Sequence, residues 1–271
     1  MENLGVIIGV AVAVAVAIFF GTRRAAQTQR LQAAAIGMVV AGAAAAAAMY
    51  GFKAMHDGGG EDALAVDQAM MSARALPMVG VVLDDVPGAQ DRLRDALREE
   101  LRQPTTQGPS RPLKLMSELR ATHIVPALKA ADEASAAAAI DARAALLKAL
   151  HDTDLVVCKE FAVTGIQRSD KLDAAGQKLM SDLLAALEKA YRSGRMAKAA
   201  GTAAPAVATD GEVRALLAEA GFQPADFEKL GRLARLPNGE ACDLALKVND
   251  APQKVPPDRR GALMRYLLTV Q

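Results

Sequence analysis

Two cysteines, three histidines and one pair of adjacent aspartates are the residues of this chain whose types invite a chemical reading. Cys158 and Cys242 are the only cysteines, so a disulfide between them needs no choice of partner. An oxidising compartment allows such a bond to persist, which makes the pair a statement about location as much as about structure. Each cysteine could instead be a small buried apolar residue, and Cys158 follows the core-like run Leu155, Val156, Val157.

His56, His123 and His151 are too scattered to hold a metal. No H-x-x-x-H or C-x-x-C spacing puts two ligands on one helix face. Asp84 and Asp85 end an apolar run before Val86, Pro87 and Gly88 and could hold a divalent cation, but Asp before Pro-Gly more often starts a turn or caps a helix. Gly58, Gly59 and Gly60 lack the following Lys and Ser/Thr of a phosphate loop. Serine-hydrolase elbows and S-x-x-K motifs are absent. Arg259, Arg260 and Arg265 could bind phosphate or carboxylate, and a solvated face of the last helix explains them as well. The residues therefore imply no cofactor and no metal, and they favour a non-enzyme.

Charge gives no substrate either. Residues 1–52 contain only Glu2, Arg23, Arg24 and Arg30 as charged side chains, so 29 of the 32 basic and 30 of the 31 acidic residues lie in 53–271, leaving that part at a formal −1. A near-neutral balance argues against nucleic acid as a partner.

The elements that must position these residues divide into two kinds. Residues 4–20 form an uninterrupted apolar run, close to the roughly 20 residues that span a bilayer as a helix. The alternative, a cleavable signal peptide, lacks a basic leader, Glu2 standing there instead, and lacks a polar cleavage region. Gly5, Gly9, Ala13, Ala17 and Gly21 form a small-residue ridge suited to a second helix, and residues 31–52, uncharged and Ala-rich, offer Gly37, Ala41 and Ala45 in return. That second run could also be a helix of a soluble domain. The basic residues sit in the loop between the two runs, so the loop is expected on the cytoplasmic side, with the N-terminus and everything after Phe52 outside, in a bacterial periplasm.

Beyond the membrane part the punctuation is helical. The expected organisation is a transmembrane hairpin over 1–52, a flexible tether over 53–62, a helical lobe over 63–200, an Ala/Thr/Pro linker over 201–208 and a small helical array over 209–271. Helices are predicted near 87–102, 113–125, 128–151 and 170–192, where Leu172, Gly176, Leu183, Leu187 and Tyr191 share a face. Thr209 and Glu212 are spaced as a capping box, and Gly221 ends that helix. Further helices are predicted at 224–235, 237–248 and 257–269, with Pro placed for a first turn. Residues 76–83 and 155–163 are Val-rich enough to be strands, although Asp154 in front and Gly165 behind favour a short helix for the second. The fold class is thus all-α: a two-helix membrane hairpin followed by a helical extracytoplasmic domain in one or two lobes.

Two function classes follow. The favoured one is a membrane-anchored structural or protein-interaction module of the cell envelope, held in the inner membrane through 4–20 and 31–52 and meeting a protein partner there. The alternative is an envelope enzyme acting on a cell-wall or lipid substrate through carboxylates such as Asp84 and Asp85.

Overall fold

The computed structural model describes residues 61–165 and 171–269, and among them the chain is all-α with no strand. The apolar runs 4–20 and 31–52 lie outside the described residues. Within the described part, no helix is long and apolar enough to cross a membrane. The chain divides into two compact units, Met1–Thr122 and His123–Gln271.

The first unit contains α1 (Glu61–Ala75), α2 (Pro77–Asp85), α3 (Ala89–Arg102) and α4 (Arg111–Leu119). α1 starts at Glu61, inside the stretch 53–62 expected as a tether, and residues 53–60 lie outside the described residues. In α2 six consecutive residues, Met78 through Leu83, are buried. A helix covered on all sides shows no 3.6-residue period, which is why this run looks like a buried strand in the sequence. Pro77 opens it at a position where the missing N–H is not needed. Val66, Met70, Val79, Val82, Leu93 and Leu119 fill the core.

Asp84 and Asp85 do not cap α3. They are the last residues of α2, and the cap position of α3 is Gly88, in the left-handed conformation at φ 73° with no side-chain bond. Asp84 instead accepts from Arg74 (2.8 Å) and Gln90 (2.9 Å), joining α1, α2 and α3. The mixed charges of α3 behave as an exposed salt-bridged face: Arg92 reaches Glu118, Arg94 lies near Asp91, and Arg98 pairs with Asp95. The α3–α4 loop is organised by Glu100, whose carboxylate accepts from the Thr105 backbone N–H (2.6 Å), the Thr105 hydroxyl (2.8 Å) and the Arg111 backbone N–H (2.9 Å). Burial pushes the Glu100 pKa up, but these bonds and the Arg111 charge together bring it below its ordinary value.

A π-helical turn, Arg120–Ile124, carries the chain into the second unit. That unit holds α5 (Val125–Lys129), α6 (Glu133–Thr153), α7 (Leu155–Thr164), α8 (Ala174–Ala199), α9 (Asp210–Glu219), α10 (Pro224–Leu230), α11 (Asn238–Asp250) and α12 (Pro257–Thr269), with 3-10 turns at Leu233–Arg235 and Ala251–Lys254. The helix expected over 128–151 is two helices. Asp132 breaks it by accepting from the Ser135 backbone N–H (2.7 Å), which caps the start of α6. α6 is the hub, packed by α7, α8, α11 and α12. Its Ala136 and Ala139 are fully buried and let neighbouring helices approach closely. The Thr209–Glu212 capping box is present in both directions, and Gly221 follows α9 in the left-handed region at φ 92°. Residues 201–208 have no helix and lie within this unit. Arg265 donates to the Ala206 carbonyl (2.9 Å), so this basic residue of α12 is buried, not part of a solvated face as its charge suggests.

Candidate functional site

Three of the candidate residues of the second unit, His151, Cys158 and Cys242, meet where α6 ends, α7 begins and α11 passes. Asp154 makes the corner. Its backbone N–H closes α6 on the Leu150 carbonyl (2.7 Å), while its carboxylate accepts from the N–H groups of Val156 (2.9 Å) and Val157 (3.1 Å) at the start of α7. Gly165, at φ 77°, ends α7, so the segment that could have been a strand is a capped helix. The helical period then turns Val157, Cys158 and Phe161 inward. On α11 the same period turns in Ala241, Cys242 and Ala245.

Cys158 and Cys242, 84 residues apart in sequence, are thereby set at disulfide distance, their Cα atoms 5.8 Å apart and both side chains fully buried. That separation falls in the usual range for a bridge. Lys159, beside Cys158, donates to the Leu236 carbonyl (2.6 Å) just ahead of α11, a second tie between the same parts.

His151 lies at the same junction. Its Nδ1 is 3.2 Å from Asp152 Oδ1 and its Nε2 is 3.0 Å from Asp243 Oδ1, so both ring nitrogens face carboxylates. That arrangement favours the doubly protonated ring. The hydrogen bond to Asp152, then those with Asp243, raise its pKa above the ordinary histidine value. A general base needs a free nitrogen lone pair, and this histidine has both nitrogens committed.

Beneath the junction is a residue that sequence reading missed. Arg143 of α6 is buried, and among the described residues no carboxylate pairs with it. It donates Nε to Asn249 Oδ1 (2.5 Å) and Nη1 to the Leu267 carbonyl (3.2 Å), and Nη2 has no partner among the described residues. Burial pushes its pKa down to about 9, so it remains charged near neutrality. The Leu267 carbonyl is close to the C-terminal end of α12, where the helix dipole favours a cation. The signal available in sequence was position: Arg143 falls on the same stripe as Ala136, Ala139, Ile140, Leu146 and Leu150, all buried.

An open hollow of about 460 Å³ lies between the start of α6 and the outer face of α8, lined by Asp132, Ser135, Glu188, Lys189, Arg192 and Met196 among others. The Asp132 carboxylate is already committed to Ser135 through the backbone N–H and the hydroxyl, and the backbone bond comes first in holding its pKa low. Glu188 pairs with Arg192 (2.8 Å). Among the described residues no three His, Cys, Asp or Glu side chains converge as metal ligands. His123 lies in the π-turn, away in sequence from the other histidines, and His56 lies outside the described residues. Asp84 and Asp85 belong to the first unit, where Asp84 is held by Arg74 and Gln90.

Compared with family models, curated proteins and solved structures, the chain matches none of them.

Proposed function

We propose that the protein is a membrane-anchored module of the bacterial cell envelope, its helical part held on the outer face of the inner membrane by residues 1–52 and acting through its surface on a protein partner. The observation that carries this reading is the Cys158–Cys242 pair: both cysteines of the chain, drawn from helices 84 residues apart, are at disulfide distance in a fully buried position. A bridge of that kind belongs in an oxidising compartment. The basic loop residues Arg23, Arg24 and Arg30 support the same side of the membrane by an independent argument.

An interaction role is supported by how the polar side chains are used. Asp84, Asp132, Asp154 and Glu100 each spend their carboxylates on neighbouring backbone or side-chain donors of the fold. The large exposed side chains include apolar ones, Leu64, Met71, Val156 and Met196. A C-terminal alkaline phosphatase fusion is expected to be active and a green fluorescent protein fusion dark. The opposite pair of results would place the helical part in the cytoplasm and remove the reading.

A further inference from the structure

The helix α1 carries a face that no described residue of the first unit covers. Leu64 and Met71 of α1 are each 65% exposed and lie one heptad apart, hence on one side of the helix. Gln68 and Ala75 continue that side, and Asp67, three residues after Leu64 and four before Met71, borders it. The charges that flank it have partners within the unit and stay open to solvent: Arg74 pairs with Asp84 at 2.8 Å, and Asp67, 67% exposed, lies 4.0 Å from Arg94. The opposite side of α1, with Val66, Met70 and Ala73, is the core face.

Position in the chain supplies the occupant. The second apolar run ends at Phe52 and α1 begins at Glu61, so eight residues separate them. Fully extended, eight residues reach at most about 30 Å. A leash that short holds α1 beside the bilayer at an effective concentration on the order of millimolar, enough for a contact too weak to form between free partners. A face bearing a leucine and a methionine, bordered by the charges of Asp67 and Arg74, suits the boundary between headgroups and acyl chains, where such charges stay among the headgroups.

We propose that the outer face of α1, carried by Leu64 and Met71, rests on the lipid surface of the membrane that anchors the chain. This deepens the anchoring read for residues 1–52 and rests on it. The contact would fix the first unit against the bilayer and define which of its surfaces stay open to a partner.

The chain has no tryptophan, so one introduced residue is a clean reporter. Leu64→Trp and Met71→Trp, made separately in the full chain and checked for helical circular dichroism, are reconstituted in phosphatidylcholine vesicles with and without brominated acyl chains. At both positions emission is expected to shift to the blue and to lose more than half its intensity in brominated lipid. Either variant suffices should the other fail to fold. Flotation of the vesicles with the protein reports the anchor separately. Protein that does not float overturns both the anchor and the contact. Protein that floats but whose tryptophan stays red and open to acrylamide overturns the contact alone. Blue emission that ignores brominated lipid and rises with protein density assigns the face to a second copy, and equally overturns the proposal.

Discussion

Gly194 of α8 packs so closely on Ala127 of α5 that a Cβ at position 194 would collide with the Ala127 carbonyl oxygen. The obstacle is backbone, which cannot rotate aside as a side-chain tip can. Gly194→Ala is therefore expected to force the two helices apart and to destabilise the second unit by about 2 kcal/mol, the middle of the range for overpacking. Gly211→Ala in α9 is the matched control, because nothing lies near its would-be Cβ. There the change should stabilise by about 0.5 kcal/mol through reduced freedom of the unfolded chain. Thermal melts of the two variants should move in opposite directions.

A bridge between Cys158 and Cys242 would close a loop of 84 residues. The chain-entropy model gives about 4 to 5 kcal/mol for a loop of that length, an upper figure. Reductant, or Cys242→Ser, is expected to lower the melting temperature by several degrees. Protein isolated from the envelope under alkylating, non-reducing conditions is expected to show no free thiol, and two alkylated thiols per chain would exclude the bridge.

The success and failure of sequence reading follow from what periodicity can and cannot encode. Thr209 with Glu212, Asp154 with Gly165, and Pro257 were legible, because caps and stops act on the adjacent backbone and need no knowledge of the rest of the fold. The break at Asp132 was less visible, since it sits in an Ala-rich stretch without Gly or Pro, although Asp132 and Ser135 have cap spacing. The helical nature of α2 was hidden because burial on every side erases the period. Arg265 is read by its charge and Arg143 is not singled out at all, although the burial of both is decided by which stripe of the helix they occupy. The Gly194–Ala127 contact and the meeting of Cys158 with Cys242 are tertiary facts that no local pattern fixes.

His151 gives a pH dependence with a definite sign. Asp152 and Asp243 raise its folded-state pKa above the unfolded value of about 6.5. The stabilisation is therefore fully present below that unfolded value and is lost as pH rises through the higher folded one. His151→Gln should remove this component and Asp243→Asn should diminish it, since Asp152 remains, while the rest of the pH profile stays in place. Melts of the three proteins across that window should converge on the alkaline side, and an unchanged profile in His151→Gln would show that the histidine is not coupled to folding.

Arg143 and Asn249 allow a sharper test, because the guanidinium has traded water for two acceptors and no countercharge. Removing only the acceptor, as in Asn249→Leu, leaves a buried cation with the Leu267 carbonyl alone and should cost about 3 kcal/mol, the low end for stripping a partner from a buried charge. Removing the charge as well, in Arg143→Met with Asn249→Leu, replaces the polar pair by apolar groups of similar size. The Leu267 carbonyl, near the end of α12, then loses its donor, a smaller penalty of about 1 kcal/mol. The double variant should therefore melt above Asn249→Leu, so that adding a second core mutation raises stability. A double-mutant cycle in urea measures the difference. Additive losses would mean that the arginine finds a compensating partner in Asn249→Leu and that its charge is not the dominant cost at this position.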